Sequence, residues 1–348
     1  MLNLVGRILL WIRGGSLKLL TLAGIILLVW GTVSPVGTLV WWLNEGAENL
    51  GLKKGSAKRA LPGDRTAAAP LNKPINCYIV FLTGVGDFSA NQLTPGEEYF
   101  LNQLEKAHPD CVTVRDVFPY SAANEGLGGR RLLAPLWRFA ENADGWLGAA
   151  DILIKIRNLW RFAISADDRY GPVYNQGIAT AILDRMNAAH PIPPADQTPL
   201  KIILISTSGG TQVSMGAAHY LNQWLDPKIL VVSVGGVFSG TDGFEAADRM
   251  YHLQGQGDWI EDIGNIVFPS RWPWTVGSPF HQAQRQGHYS VYSTGPHNHD
   301  GPQGYFGEAI APASSTQLSD QTKYVDLTLQ VVNQLPIWAD SPTKHSDP

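Results

Sequence analysis

Lys201-Ile202-Ile203-Leu204-Ile205-Ser206-Thr207-Ser208-Gly209-Gly210-Thr211 is a strand that stops on small residues and restarts as a helix. Ile202–Ile205 is a continuous apolar run with no polar alternation, the pattern of a strand covered on both faces. Thr211–Leu225 then takes a helical period. Working outward, similar runs occur at Asn76–Thr83, Cys111–Val117, Ile229–Val234 and Met250–Gln254, and Tyr289–Thr294 alternates as a strand should. Helical segments are expected at Thr94–His108, Val173–Ala189 and Gln321–Leu335. Strands alternating with helices predict an α/β fold, with a mainly parallel central sheet and helices on both faces. No internal repeat is visible.

The chain has 348 residues, 44% of them hydrophobic, which is enough for a substantial core. Charged residues are only 16%, against roughly 25% in an average soluble protein. The formal net charge of -4 and the lack of a basic stripe argue against nucleic-acid binding. Residues 19–43 carry no charge, and about 20 helical residues cross a hydrocarbon core. Arg7, Arg13 and Lys18 precede this run and Trp41-Trp42 close it, as interfacial residues do. A cleaved signal peptide, with Leu19–Trp30 as its apolar core, is the competing reading. Apolar character resumes at Thr38–Leu43, which favours an uncleaved single-pass anchor. Lys53, Lys54, Lys58 and Arg59 on the far flank nearly balance the N-terminal cations, so charge leaves the orientation open. The expected organisation is an anchor in 1–54, a linker in 55–74, a globular domain in 75–337 and a polar tail in 338–348. Cys77 and Cys111 each open a candidate strand. They are read as two buried small residues, with a disulfide left open should the two strands be parallel neighbours in register and the domain lie outside the cytoplasm.

Ser206-Thr207-Ser208-Gly209-Gly210 carries the chemistry. A nucleophile on a tight strand-to-helix turn needs small residues two before and two after it, here Ser206 and Gly210. This turn resembles the nucleophile elbow of the α/β-hydrolase superfamily, with Ser206 where the usual pattern has its first glycine. The resemblance covers roughly Asn76–Leu335 as an order of elements, and implies a serine, an acid and a histidine in that chain order. Asp258, in Gly255-Gln256-Gly257-Asp258 after a strand, is the first choice of acid, with Asp262 and Asp242 as alternatives. His299 is preferred as base over His297, with His281 and His288 as remoter candidates. The segment Gly304-Tyr305-Phe306 is expected to pin His299 by packing. Backbone N–H groups of Gly209 and Val85, the latter in Gly84-Val85-Gly86-Asp87, are the expected oxyanion donors. The His297-x-His299 pair has no third ligand at metal spacing, so neither metal nor cofactor is expected.

A long insertion, residues 119–172, holds Leu132-Leu133, Trp137, Trp146 and the run Ile152–Ile164. It reads as amphipathic helices forming a cap. A second aromatic patch runs from Trp272-Pro273-Trp274 to Phe280. Both are expected to line an apolar entrance facing the bilayer, against the alternative of ordinary core packing. The expected function is a membrane-tethered, esterase- or lipase-like serine hydrolase acting on an apolar or lipid-like ester. A catalytically silent binding module at the membrane and an acyltransferase using the same serine are the competing readings.

Overall fold

The computed structural model describes residues 75–86, 93–121, 148–193, 199–241, 243–311 and 322–338. The expected anchor, the linker and the polar tail beyond residue 338 lie outside the described residues, as do Asp242 and residues 122–147 of the insertion. Among the described residues no helix is long and apolar enough to cross a membrane.

Among the described residues six strands form one sheet: β1 (Cys77–Leu82), β2 (Cys111–Val117), β3 (Lys201–Thr207), β4 (Lys228–Val234), β5 (Arg249–Gly255) and β6 (Tyr289–Gly295). Their order across the sheet is β2-β1-β3-β4-β5-β6, and every pairing is parallel. All six residues of β1 are buried, which explains why its sequence is continuously apolar. The principal helices are α1 (Pro95–Ala107), α2 (Gly148–Ala166), α3 (Gly171–Ala189) and α4 (Gly210–Leu225). Four more follow: α5 (Gly243–Ala246), α6 (Asp262–Val267), α7 (Pro279–Arg285) and α8 (Tyr324–Gln334). Thr94 caps α1 in a reciprocal capping box with Glu97, and Pro95 occupies its first turn.

Successive residues of a strand point to opposite faces, so the sheet builds two cores. On one face Ile79, Phe81, Ile203, Ile205 and Val232 pack against Phe100, Leu101 and Leu104 of α1 and Val325 and Val332 of α8. On the other, Tyr78, Val80, Leu82, Ile202 and Leu204 meet Tyr174, Ile178 and Ile182 of α3 and Val213 and Leu221 of α4. Phe162 and Ile164 of α2 belong to this second core. The last part of the insertion is therefore body of the domain and not only a cover over it.

The chain runs from β1 outward to β2, then returns past β1 to β3. The connections after β1 and β3 consequently leave in opposite directions, and a crevice opens at the carboxyl ends of those strands. The loop after β1 and the serine turn after β3 both border it.

The cysteines differ from expectation. Cys77 and Cys111 are directly paired in the β1–β2 register, with Cα atoms 4.5 Å apart, and are joined in a disulfide. Reading them as free buried residues fails because only the register of two strands brings the sulfurs together. The short helices α6 and α7 were also not legible, since a single turn or two shows no apolar period.

Candidate active site

Ser208 ends the β3 extension with φ at +51°, in the left-handed region that a side chain rarely adopts. Several contacts hold it there. Its N–H donates to the Val234 carbonyl at 3.2 Å, and its carbonyl accepts from Val237 N–H at 3.0 Å and Thr211 N–H at 3.2 Å. Gly210 has no room for a side chain: a Cβ would lie 2.4 Å from the Thr83 carbonyl oxygen. That close approach is the reason for a small residue two positions after the serine.

Ser206, two positions before it, is a serine for a visible reason. Its hydroxyl lies 3.2 Å from Thr211 Oγ1 and 3.1 Å from Ser214 Oγ. Thr211 Oγ1 in turn is 3.3 Å from Ser233 Oγ, and Ser233 is 3.0 Å from His252 Nδ1. His252 Nε2 is 3.2 Å from Glu261 Oε2 but not aligned for a hydrogen bond. A buried polar chain thus runs beneath the serine turn and braces it from the β4–β5 side.

The Ser208 hydroxyl is 2.9 Å from His299 Nε2. His299 Nδ1 is 2.8 Å from Asp258 Oδ2 and 3.0 Å from Oδ1. With Nδ1–H donating to the carboxylate, Nε2 is left free to accept from the serine. The Asp258 side chain is fully buried, while the His299 side chain is 16% exposed and Ser208 8%. Solvent can therefore reach the hydroxyl and the imidazole but not the carboxylate.

Burial alone would push the Asp258 carboxyl up, yet donors outweigh it and hold the group below the usual carboxylate range. They are His299, the Tyr305 hydroxyl at 2.9 Å and Ile260 N–H at 2.9 Å. Tyr305 is buried, and its hydroxyl also accepts from Gly255 N–H at 2.8 Å. Burial first and Asp258 second push its phenol well above the ordinary value, so it remains a donor. Gly235, at φ +54°, leaves the space: a Cβ there would lie 2.4 Å from the Tyr305 ring and 2.8 Å from Asp258 Oδ2.

The alternative candidates go elsewhere. His297 is fully buried, and its Nε2 lies 2.9 Å from the Tyr324 carbonyl oxygen. Its ring stacks on Tyr305 at 5.2 Å, and burial holds it below the ordinary imidazole value. It braces the Tyr305 ring beside Asp258, and the imidazole that meets Ser208 is that of His299. Asp262 sits exposed at the start of α6 while Asp258 takes the imidazole. His281 contacts the Trp272 carbonyl. The two histidines of the His-x-His pair face different partners, so they do not chelate one ion. No group of three or more metal-type ligands occurs among the described residues.

The Gly84–Gly86 loop, from which the sequence draws its second expected oxyanion donor, borders the serine turn. A Cβ on Gly84 would be 3.4 Å from Ser208 Cβ, and one on Gly209 would be 2.8 Å from Val85 Cγ1. Asn158 of α2, fully buried, donates from its amide to the Val85 carbonyl at 2.9 Å, and Arg157 donates to Asn158 Oδ1 at 2.7 Å. Phe162 reaches to 3.1 Å from that same Gly209 Cβ position and packs its ring on Phe268. Asn158, Phe162 and Phe268 were not singled out by the sequence, because nothing local distinguishes them from other helix and loop residues. Tyr305 and Phe306 were expected to pin His299 by packing; instead Tyr305 stacks on His297 and Phe306 packs on Phe81 and Phe100, and the Tyr305 hydroxyl contact with Asp258 depends on the fold.

No protein-family model matches the chain, and no curated protein matches it in sequence. The parallel sheet with helices on both faces is compatible with an α/β-hydrolase-like fold.

Proposed function

We propose that this chain is a serine hydrolase of α/β-hydrolase type, tethered to a membrane by residues 19–43, that cleaves an ester of an apolar or lipid-like acyl group. One observation carries the reading. A serine hydroxyl held at positive φ on a strand-to-helix turn meets an imidazole at 2.9 Å, and that imidazole meets a buried carboxylate at 2.8 Å.

The chemistry follows from the arrangement. His299 Nε2 takes the Ser208 proton as the oxygen attacks the acyl carbon. Asp258 fixes the tautomer and stabilises the imidazolium. The developing oxyanion meets the N–H groups of Gly209, at the positive end of α4, and of Val85. The C–O bond of the ester breaks, and the alcohol leaves with the proton from His299. Water, deprotonated by the same imidazole, then releases the acid and restores Ser208. Val85 and Phe162 beside Gly209, with Phe268 packed on Phe162, would supply an apolar wall for the acyl group.

The Cys77–Cys111 bridge supports a domain on the oxidising side of the membrane, since cytosolic thiols are kept reduced. Labelling with a fluorophosphonate probe tests the reaction. Wild-type protein is expected to label, and Ser208→Ala to remain folded and unlabelled. Folded wild type that resists the probe would leave a binding module as the reading. Transfer of the acyl group to an added alcohol in preference to water would replace hydrolase by transferase.

A further inference from the structure

We propose that residues 256–278, which follow β5 and include α6, form an apolar lip that docks on the surface of a lipid bilayer and admits acyl chains to Ser208. This rests on the hydrolase reading and on the tether.

The segment exposes what a soluble surface normally hides. Trp259 is 68% exposed, Ile266 72%, Val267 56%, Trp274 71% and Val276 59%. Its charged residues are Asp258, Glu261, Asp262 and Arg271, and of these only Asp262 is exposed. Single exposed apolar side chains are ordinary, but a cluster of them with almost no charge marks an interaction surface.

The lip is also built rather than loose. Trp272 Nε1 donates to the Ile266 carbonyl at 3.1 Å, and the Trp272 and Trp274 rings lie 5.1 Å apart. The Thr275 hydroxyl closes the turn on the Pro269 carbonyl at 2.9 Å and the Trp272 carbonyl at 2.7 Å. Trp272 thus ties the end of α6 to the turn that carries Trp274, and exposed Val276 follows two residues later.

The segment meets the candidate site at two places. The segment contains Asp258 itself, next to exposed Trp259. In its middle Phe268 packs on Phe162, which borders Gly209. Phe268 and Phe162 thus link the segment to the residue that follows Ser208.

Lipid is the occupant that this composition fits. Trp belongs at the membrane–water boundary, where its ring is buried and its N–H is wet. The one arginine within the segment is buried, and the exposed Arg285 of α7 meets the segment at the Val276 carbonyl, at 2.8 Å. Residues 44–74 separate the apolar run from the first described residue. Fully extended they reach roughly 100 Å at about 3.3 Å per residue, so the domain can lie down on the membrane that holds it. Because the lip is nearly uncharged, its docking needs no anionic lipid and survives salt.

The test uses the full chain reconstituted in phosphatidylcholine vesicles, with Ile266→Asp/Trp274→Asp as the variant. A milder pair, Ile266→Ser/Trp274→Ser, serves if the first unfolds. Two esters are compared, a water-soluble acetate and a long-chain ester dissolved in the bilayer. The variant is expected to lose at least tenfold on the bilayer ester and to keep the acetate within twofold. Brominated phosphatidylcholine should quench wild-type tryptophan more than variant tryptophan, equally at low and high salt. Equal loss on both esters, or no loss on either, overturns the proposal. So does unchanged quenching, which would give the lip to a protein partner or to residues 122–147. If wild type turns over neither ester, the hydrolase reading fails, and quenching still decides the docking.

Discussion

Tyr305→Phe removes one oxygen and should disturb both stability and reactivity. The hydroxyl donates to the buried Asp258 carboxylate at 2.9 Å and accepts from Gly255 N–H at 2.8 Å. A hydrogen bond to a charged partner contributes about 1.5–3 kcal/mol, and orphaning a buried donor such as Gly255 N–H costs about 1–3 kcal/mol more. The ring remains stacked on His297, so no cavity adds to this. Near the lower end of that range, a loss of about 3 kcal/mol lowers the thermal midpoint by about 6–12 °C for a domain of this size. Asp258 keeps two other donors, His299 and Ile260 N–H. It should therefore stay aimed at the imidazole but be held less firmly. A fluorophosphonate labelling rate about tenfold lower, or ~1.4 kcal/mol in the barrier, is expected. Loss of the phenol donor also raises the Asp258 pKa, shifting the acid limb of the labelling-rate profile to higher pH. Calorimetry and labelling across pH measure both effects. A variant with wild-type midpoint and an unmoved acid limb would refute the clamp.

Breaking the Cys77–Cys111 bridge should cost about 3.8 kcal/mol at 25 °C by the chain-entropy relation, given a sequence separation of 34. Urea unfolding with and without dithiothreitol reads it, and rapid alkylation of both thiols in unreduced native protein would contradict the bridge. Acid should destabilise the domain from near neutrality. Burial keeps His297 neutral in the fold, whereas the unfolded chain titrates at about 6.5. Its contribution is full above that pH and is lost as pH falls toward the folded value. Asp258, also held low, adds a second loss below about 3.9. Unfolding midpoints at pH 7.5, 6 and 5 should fall in that order, and less steeply in His297→Gln.

Local pattern carried much of this protein. Apolar runs without alternation marked β1, β3 and β4 as interior strands, because a strand covered on both faces has no polar side. Ser208 was legible from its neighbours, since a strand cannot pass abruptly into a helix without small residues at the crossing. Asp258 and His299 were legible as residues just past strand ends, the level where a parallel sheet opens. The choice of His299 over His297 was harder to justify from sequence. The two are separated by one residue, and only their different partners, Ser208 and the Tyr324 carbonyl, distinguish them.

The sequence by itself determined a parallel α/β body, the apolar run at 19–43 and a serine at a constrained turn. All three are written in residue types within a few positions of one another. The tertiary structure alone decided the rest. It brought His299 to a serine 91 residues away and Asp258 to a histidine 41 residues away. It set the register that joins Cys77 to Cys111, and it aimed the Tyr305 hydroxyl at a carboxylate. Contacts at such separations are fixed by how strands and helices stack, and no local period of the chain encodes that.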